Sequence, residues 1–182
     1  MEDRSVTVVR PMRPEDAGAA RRAQYEGWRD AYVRPDGVST AWLEEVWRPR
    51  LSEAGIAEFA AEVAEGQHCP RIVQLVAELD DGAGPVVVGL AIALAPEKGP
   101  QELRVLYVAS RARGRGVGSA LMDAVLAHMD LTRPVSLGVA AFNEDARRFY
   151  RRFGFREVRG LESEFAGVIP EVTMTRRAAV AR

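Results

Sequence analysis

The chain has 182 residues, 47% of them hydrophobic and 28% charged, with a formal net charge of −1. This describes a single globular domain over residues 1–182, with room for a sizeable core and no electrostatic case for nucleic acid as a partner. Cys69 stands alone, which excludes an intrachain disulfide and a cysteine metal cluster; the first residues are charged where a secretory signal is apolar, and no apolar run is long enough for a membrane span, so no membrane partner and a cytoplasmic location are expected.

In chain order, Val6–Arg10 is a short β-branched run closed by Pro11 and Pro14. Helical spacing starts at Glu15, with Asp16 near its N-terminus, and runs to Arg29. Pro35-Asp36-Gly37 is turn chemistry, after which Val38–Leu51 and Ser52–Glu65 read as two further helices and Gln67–Pro70 as a break. Arg71–Leu79 is a Val- and Ile-rich strand, joined through Asp80–Gly84 to its returning strand Pro85–Ala95. Beyond the loop Pro96–Pro100, Leu103–Val108 is a strand, and a helix begins near Ser119. Val117, Leu121, Ala124, Val125 and His128 recur there at helical spacing. Pro134–Ala141 is the next strand, Asn143–Phe153 a helix, and Phe155–Val158 and Glu171–Thr175 two short closing strands. This order predicts an α/β (α+β) sandwich, a mixed sheet of about seven strands with helices on both faces.

Two segments carry chemistry. In the first, the strand ending Leu106-Tyr107-Val108 leads through a polar turn into Arg113-Gly114-Arg115-Gly116-Val117-Gly118, and Ser119 follows in the helix. Glycines clear side chains from the approach, the helix N-terminus presents N–H groups and a favourable dipole, and arginines supply phosphate donors, so this is a pyrophosphate cradle. A Walker loop is excluded because the only lysine, Lys98, lies upstream of the loop. The dinucleotide fingerprint is excluded because Ser119 stands where its third glycine belongs. The pattern that fits is R-x-x-G-x-G. In the second segment, Asn143 is a good N-cap, and Ala146, Phe149, Tyr150 and Phe153 form one apolar face. Gly154 supplies the C-terminal cap. Each of these residues has a structural reason to be there; N-x-x-A-x-x-x-Y-x-x-x-G-F is nevertheless matched throughout.

Together these segments resemble the two coenzyme motifs of the GNAT superfamily of N-acetyltransferases, and the element order is similar over nearly the whole chain. The resemblance implies the GNAT fold, with a mostly antiparallel sheet in which strands four and five splay apart. It implies acetyl-CoA as cosubstrate, no metal, and acetyl transfer to the amine of a small molecule, amino acid or peptide by direct attack in a ternary complex. The coenzyme would be bound by Leu106, Tyr107 and Val108, by Arg113, Gly114, Arg115, Gly116, Val117, Gly118 and Ser119, and by Asn143 on the pantetheine arm. Tyr150 would lie near the sulfur and act as general acid. A thiol ionises near ~8.5 and tyrosine near ~10, so full proton transfer is uphill by roughly 2 kcal/mol and Tyr150 is expected to assist without being indispensable. Gly27-Trp28-Arg29-Asp30-Ala31-Tyr32 is similar to the S-W-R-x-A-Y pattern of many GNAT N-terminal helices and implies Trp28 and Tyr32 on the acceptor side.

Some family members place a glutamate base on the fifth strand, where this chain has Gly138. Glu102 on the fourth strand is then the leading base, directly or through water, ahead of His68 and His128. Glu26, Asp30 and Glu164 are further carboxylates that could attract an amine. Two other readings compete: a noncatalytic acyl-CoA sensor, and a nucleic-acid binder using Arg111–Arg115 and Arg147–Arg152. The near-neutral balance and the lack of interleaved aromatics count against the latter. The sequence leaves open a homodimer and the identity of the acceptor.

Overall fold

Strands β1 (Val6–Pro11), β2 (Ile72–Asp80), β3 (Pro85–Leu94), β4 (Gln101–Val108), β5 (Val135–Ala140), β6 (Phe155–Phe165) and β7 (Ile169–Arg176) form one sheet in the order β1-β2-β3-β4-β5-β7-β6. The computed structural model describes residues 6–80, 82 and 84–178; Asp81 and Ala83 of the expected hairpin connection, and the charged start Met1–Ser5, lie outside the described residues. Neighbouring strands are antiparallel except β4 and β5, which run parallel.

Helices α1 (Ala17–Tyr32), α2 (Thr40–Leu51) and α3 (Glu53–Gln67) cover one face, and α4 (Val117–Ala127) and α5 (Glu144–Arg152) the other. Strand alternation divides the core accordingly. Val76, Val87 and Leu90 meet Ala20, Phe59 and Val63 of α1 and α3, whereas Leu75, Ala91 and Leu103 meet Leu121, Met122 and Val125 of α4. This is the α/β sandwich expected. Among the described residues no helix is long and apolar enough to cross a membrane.

A bulge in β4 decides what faces where. Ile92 pairs with Val105 and Ala93 with Leu103, so Arg104 is an extra residue and the alternation changes phase across it. Leu103 before the bulge and Leu106 and Val108 after it pack on the α4 side. Val105 and Tyr107 pack with α1 and α3, on the face that Glu102 shares. Unbroken alternation from Leu103 through Arg104 would have put Tyr107 on the α4 side, away from α1.

Some details differ from expectation. The fourth helix starts at Val117 rather than near Ser119, because Gly116 takes a left-handed conformation (φ 80°) and starts the helical turn there. The closing strands are longer than expected. Residues of β6 from Arg156 onward are almost all solvent-exposed, so the apolar alternation that marks a strand in sequence is missing. His128 is exposed and holds the Ala124 carbonyl through Nδ1 at 2.8 Å, while Met129 takes the buried position.

Gln101, 1% exposed, ties the start of β4 to the turn before β5. Its Nε2 donates to the Asp130 carbonyl at 2.9 Å, and its Oε1 accepts from the Asp130 N–H at 2.8 Å. Replacing it with leucine leaves the Asp130 N–H without a partner, while the Asp130 carbonyl keeps the Arg133 N–H at 3.0 Å; a buried unpaired group costs about 1–3 kcal/mol. Gln101→Leu is therefore expected to lower the unfolding free energy by about 2 kcal/mol or more in denaturant titration, whereas a change at exposed Glu97 is expected to leave it within about 0.5 kcal/mol.

Candidate functional site

The parallel pairing of β4 with β5 covers only Gln101 with Val135 and Glu102 with Ser136. Beyond these the strands part. β3 continues to hold β4 as far as Val108, and β7 holds β5 as far as Ala140, so each strand keeps one partner while the edges facing each other stand open. Backbone N–H and C=O groups need partners, and an open pair of edges presents them to a ligand that carries amides. A cavity of about 490 Å³ fills the opening, walled by Leu106, Tyr107 and Val108 on one side and by Gly138 and Val139 on the other.

The cavity runs on to Arg113, Gly114 and Gly118. Gly114 (φ 74°) and Gly116 (φ 80°) both have left-handed backbone that other residues rarely adopt, and a Cβ at either would meet nothing within 4 Å, so conformation rather than space demands glycine. Side chains of Ser39, Ser52 and Asn143 cap α2, α3 and α5; α4 starts on Gly116 with no side-chain cap. An uncapped N-terminus at the mouth of a cavity suits an anion. The loop is fastened to α1: Arg113 pairs with Asp30 at 3.3 Å, Arg111 with Glu26 at 3.1 Å, and the Ser110 hydroxyl donates to Asp30. Glu26 and Asp30 are thus occupied in holding the loop, and Glu164 lies exposed on β6; the structure does not gather these carboxylates into one amine pocket.

Asn143 caps α5 through Oδ1, which accepts from the Ala146 N–H at 3.1 Å, and lines the same cavity. Tyr150 also lines it, with ring edges against Phe149 and Phe155. Burial, with a smaller contribution from Tyr32, pushes the Tyr150 hydroxyl well above the ordinary tyrosine value. On the opposite wall Tyr32 and Tyr107 share a hydrogen bond of 2.8 Å between hydroxyls. Gly27 permits this contact, since a Cβ there would lie 2.9 Å from the Tyr107 ring. Burial raises both of these hydroxyls too, so three neutral phenols surround the centre of the opening.

A second cavity, about 340 Å³, lies on the α1 side and shares Tyr32, Tyr107 and Gly138 with the first. Trp28 forms one wall, packed edge-on against Tyr32, Trp47 and Phe165. Glu102 and Glu171 bring carboxylates to it. Glu102 forms an ion pair with Arg104 at 3.1 Å and its side chain is 43% exposed. His68 ends α3 and His128 ends α4, and neither lines either cavity. Sequence reasoning missed the Tyr107 side chain and Glu171. The run L-Y-V showed a tyrosine but not the bulge that turns it toward α1, and Glu171 reaches the site only through the register of β7 on β5.

The likenesses to known proteins agree with this geometry. A family model described as the acetyltransferase (GNAT) family matches residues 26–155. No curated protein matches the sequence. Among solved structures, the PaiA N-acetyltransferase of Thermoplasma acidophilum, in complex with coenzyme A, is similar with a TM-score of 0.75 at 18% identity, over 94% of this chain and 99% of that one. An acetyltransferase of the GNAT family from Streptococcus pneumoniae follows at 0.63 and 17%, over 96% and 100%. Arabidopsis thaliana NAA60, in complex with a bisubstrate analogue, is similar at 0.60 and 23%, over 94% and 98%. At these identities the structures speak for the fold, and the family model, spanning the opened strands and both motif segments, makes the chain a member of the GNAT acetyltransferase family.

Proposed function

We propose that the protein is an acetyl-CoA-dependent N-acetyltransferase, a single domain that moves an acetyl group from the thioester to a primary amine of a small molecule, amino acid or peptide. The observation that carries this reading is the opening between β4 and β5, which leads without interruption to the uncapped, glycine-started N-terminus of α4. The coenzyme of the solved PaiA relative has the parts this opening would hold. The pyrophosphate would sit at Gly114–Ser119 with Arg113 and Arg115, and the pantetheine amides along Leu106–Val108 and Asn143, with the thioester beside Tyr150.

Backbone amides fixed in β4 are suited to the oxygen that becomes negative as the amine attacks, and donors held in place in this way are commonly the largest electrostatic contribution to acyl transfer. Neither cavity is lined by a cysteine or a histidine, which favours direct attack in a ternary complex over an acetylated enzyme. Several arginines of the nucleic-acid reading are paired within the chain: Arg147 and Arg151 with Glu157, Arg148 with Asp145, and Arg111 with Glu26.

Acetyl-CoA is expected to raise the melting temperature, since a ligand of the folded state stabilises it by mass action. Gly118→Glu tests the cradle. A Cβ at Gly118 meets Phe149 and Val108 at ordinary distances of 3.6 and 3.7 Å, and a carboxylate in the first turn suits the helix dipole, so the variant is expected to fold. Its charge opposes pyrophosphate, and the shift is expected to vanish; a full shift means the cradle lies elsewhere.

Tyr150→Phe separates an enzyme from a sensor. With its hydroxyl raised by burial, Tyr150 is a poor full proton donor to thiolate and a good hydrogen-bond donor to it. A hydrogen bond to a charged group is worth about 1.5–3 kcal/mol, so kcat is expected to fall about 10- to 100-fold with apparent acetyl-CoA affinity unchanged. The tyrosine is expected to contribute no alkaline limb to the parent's profile below about pH 10. Initial rates with a panel of alkylamines, amino acids and peptides measure this; a parent inert across the panel while still stabilised by acetyl-CoA points to the sensor.

A further inference from the structure

We propose that Glu171 of β7 is the general base of this site, taking the place that a side chain on β5 would otherwise occupy and receiving the proton of the acceptor amine. The inference rests on the acetyltransferase reading above.

Gly138 pairs with Thr173 and Ala140 with Glu171, so Gly138 and Glu171 project from the same face of adjacent strands, diagonal to one another. A Cβ built on Gly138 would lie 3.0 Å from Glu171 Oε2 and 3.4 Å from its carboxyl carbon. A side chain at Gly138 would press on that carboxylate, which would have to give way by a few tenths of an ångström. The missing side chain on β5 and the carboxylate from β7 are therefore two halves of one arrangement. Gly138 walls both cavities, so Glu171 stands where the open strands meet the α1-side cavity.

The groups around Glu171 suit a base. Glu102 and Tyr107 line its cavity from β4, Tyr32, Trp28 and Gln24 from α1, and Phe165 from β6. Burial raises the Glu171 carboxyl above its ordinary range, the nearby Glu102 charge adds to this, and the Ser163 hydroxyl of β6 opposes it. Glu102, by contrast, is already engaged by Arg104, the cation beside the pair. Two carboxylates and aromatic walls form a cavity that attracts a primary ammonium. The bound ammonium gives one proton to a Glu171 oxygen. Its freed lone pair forms the C–N bond to the thioester carbon, and the C–S bond breaks. The second nitrogen proton passes to the departing sulfur near Tyr150, and Glu171 returns its own proton to water.

The test compares Glu171→Gln with the parent using two acceptors, Nα-acetyl-lysine amide and an alanyl dipeptide amide, together with whichever panel amine turns over fastest. At pH 7 a lysine-type amine ionising near ~10.4 is neutral about once in 2,500 molecules, and an α-amine near ~8 about once in ten. Loss of the base is therefore expected to lower kcat roughly 10³-fold for the first and roughly tenfold for the second. The parent's log kcat is expected to level off above an acidic limb, whereas the variant's rises with pH toward the amine's own ionisation. In Glu102→Gln, which removes the neighbouring negative charge, the acidic limb is expected to persist and move to lower pH. The acetyl-CoA melting shift is expected to survive in both variants. Equal losses for the two amines, an unchanged kcat, or a plateau that persists in Glu171→Gln and disappears in Glu102→Gln overturns the assignment. A parent that turns over no amine overturns the acetyltransferase reading and this inference with it.

Discussion

β4 and β5 share two residue pairs and then separate, and the rest of the site depends on that parting. Open edges inside a sheet are unfavourable unless something else satisfies their polar groups. Here each strand is secured from its far side, β4 by β3 and β5 by β7, so the edges stay apart without loss of order. Gln101 fixes the closed end through its pair of bonds to Asp130, and the extra residue Arg104 bends β4 just beyond it. A ligand with an extended arm of amides would complete the ladder that the protein leaves incomplete.

Charge is distributed along this opening in a way that orients such a ligand. Arginines, left-handed glycines and an uncapped helix lie at the α4 end, a setting suited to an anion. At the other end the α1-side cavity carries Glu102 and Glu171 among aromatic rings, an environment for a cation. α1 links the two ends. Its acids Glu26 and Asp30 hold the arginine loop, and two residues beyond Asp30 Tyr32 bonds to Tyr107 at the centre. Exposed ion pairs contribute little stability, so those between α1 and the loop serve chiefly to position the loop.

Features set by neighbouring residues were legible in the sequence. The glycines at 114 and 116, the N-cap at Asn143 and the apolar face of Ala146, Phe149, Tyr150 and Phe153 all follow from backbone conformation and helical period, and the structure has each of them. What could not be read depends on partners distant in the chain. The length of β6 and β7 was hidden because β6 is polar and exposed along most of its run and is defined by its pairing with β7. Gly138 looked like a position emptied of function, and only the register of β7 shows a carboxylate filling the space. Glu26 and Asp30 suggested an acceptor pocket until the loop folded back onto α1 and paired with them.

Amide hydrogen exchange with and without acetyl-CoA tests the central claim most directly. If the coenzyme completes the open strand edge and occupies the helix N-terminus, exchange slows at Leu106–Val108 and at Gly114–Ser119, while β1 and β2 on the far side of the sheet are unaffected. Binding that leaves both of those segments exchanging at their unliganded rates, with protection elsewhere, contradicts the role assigned here to the parted strands.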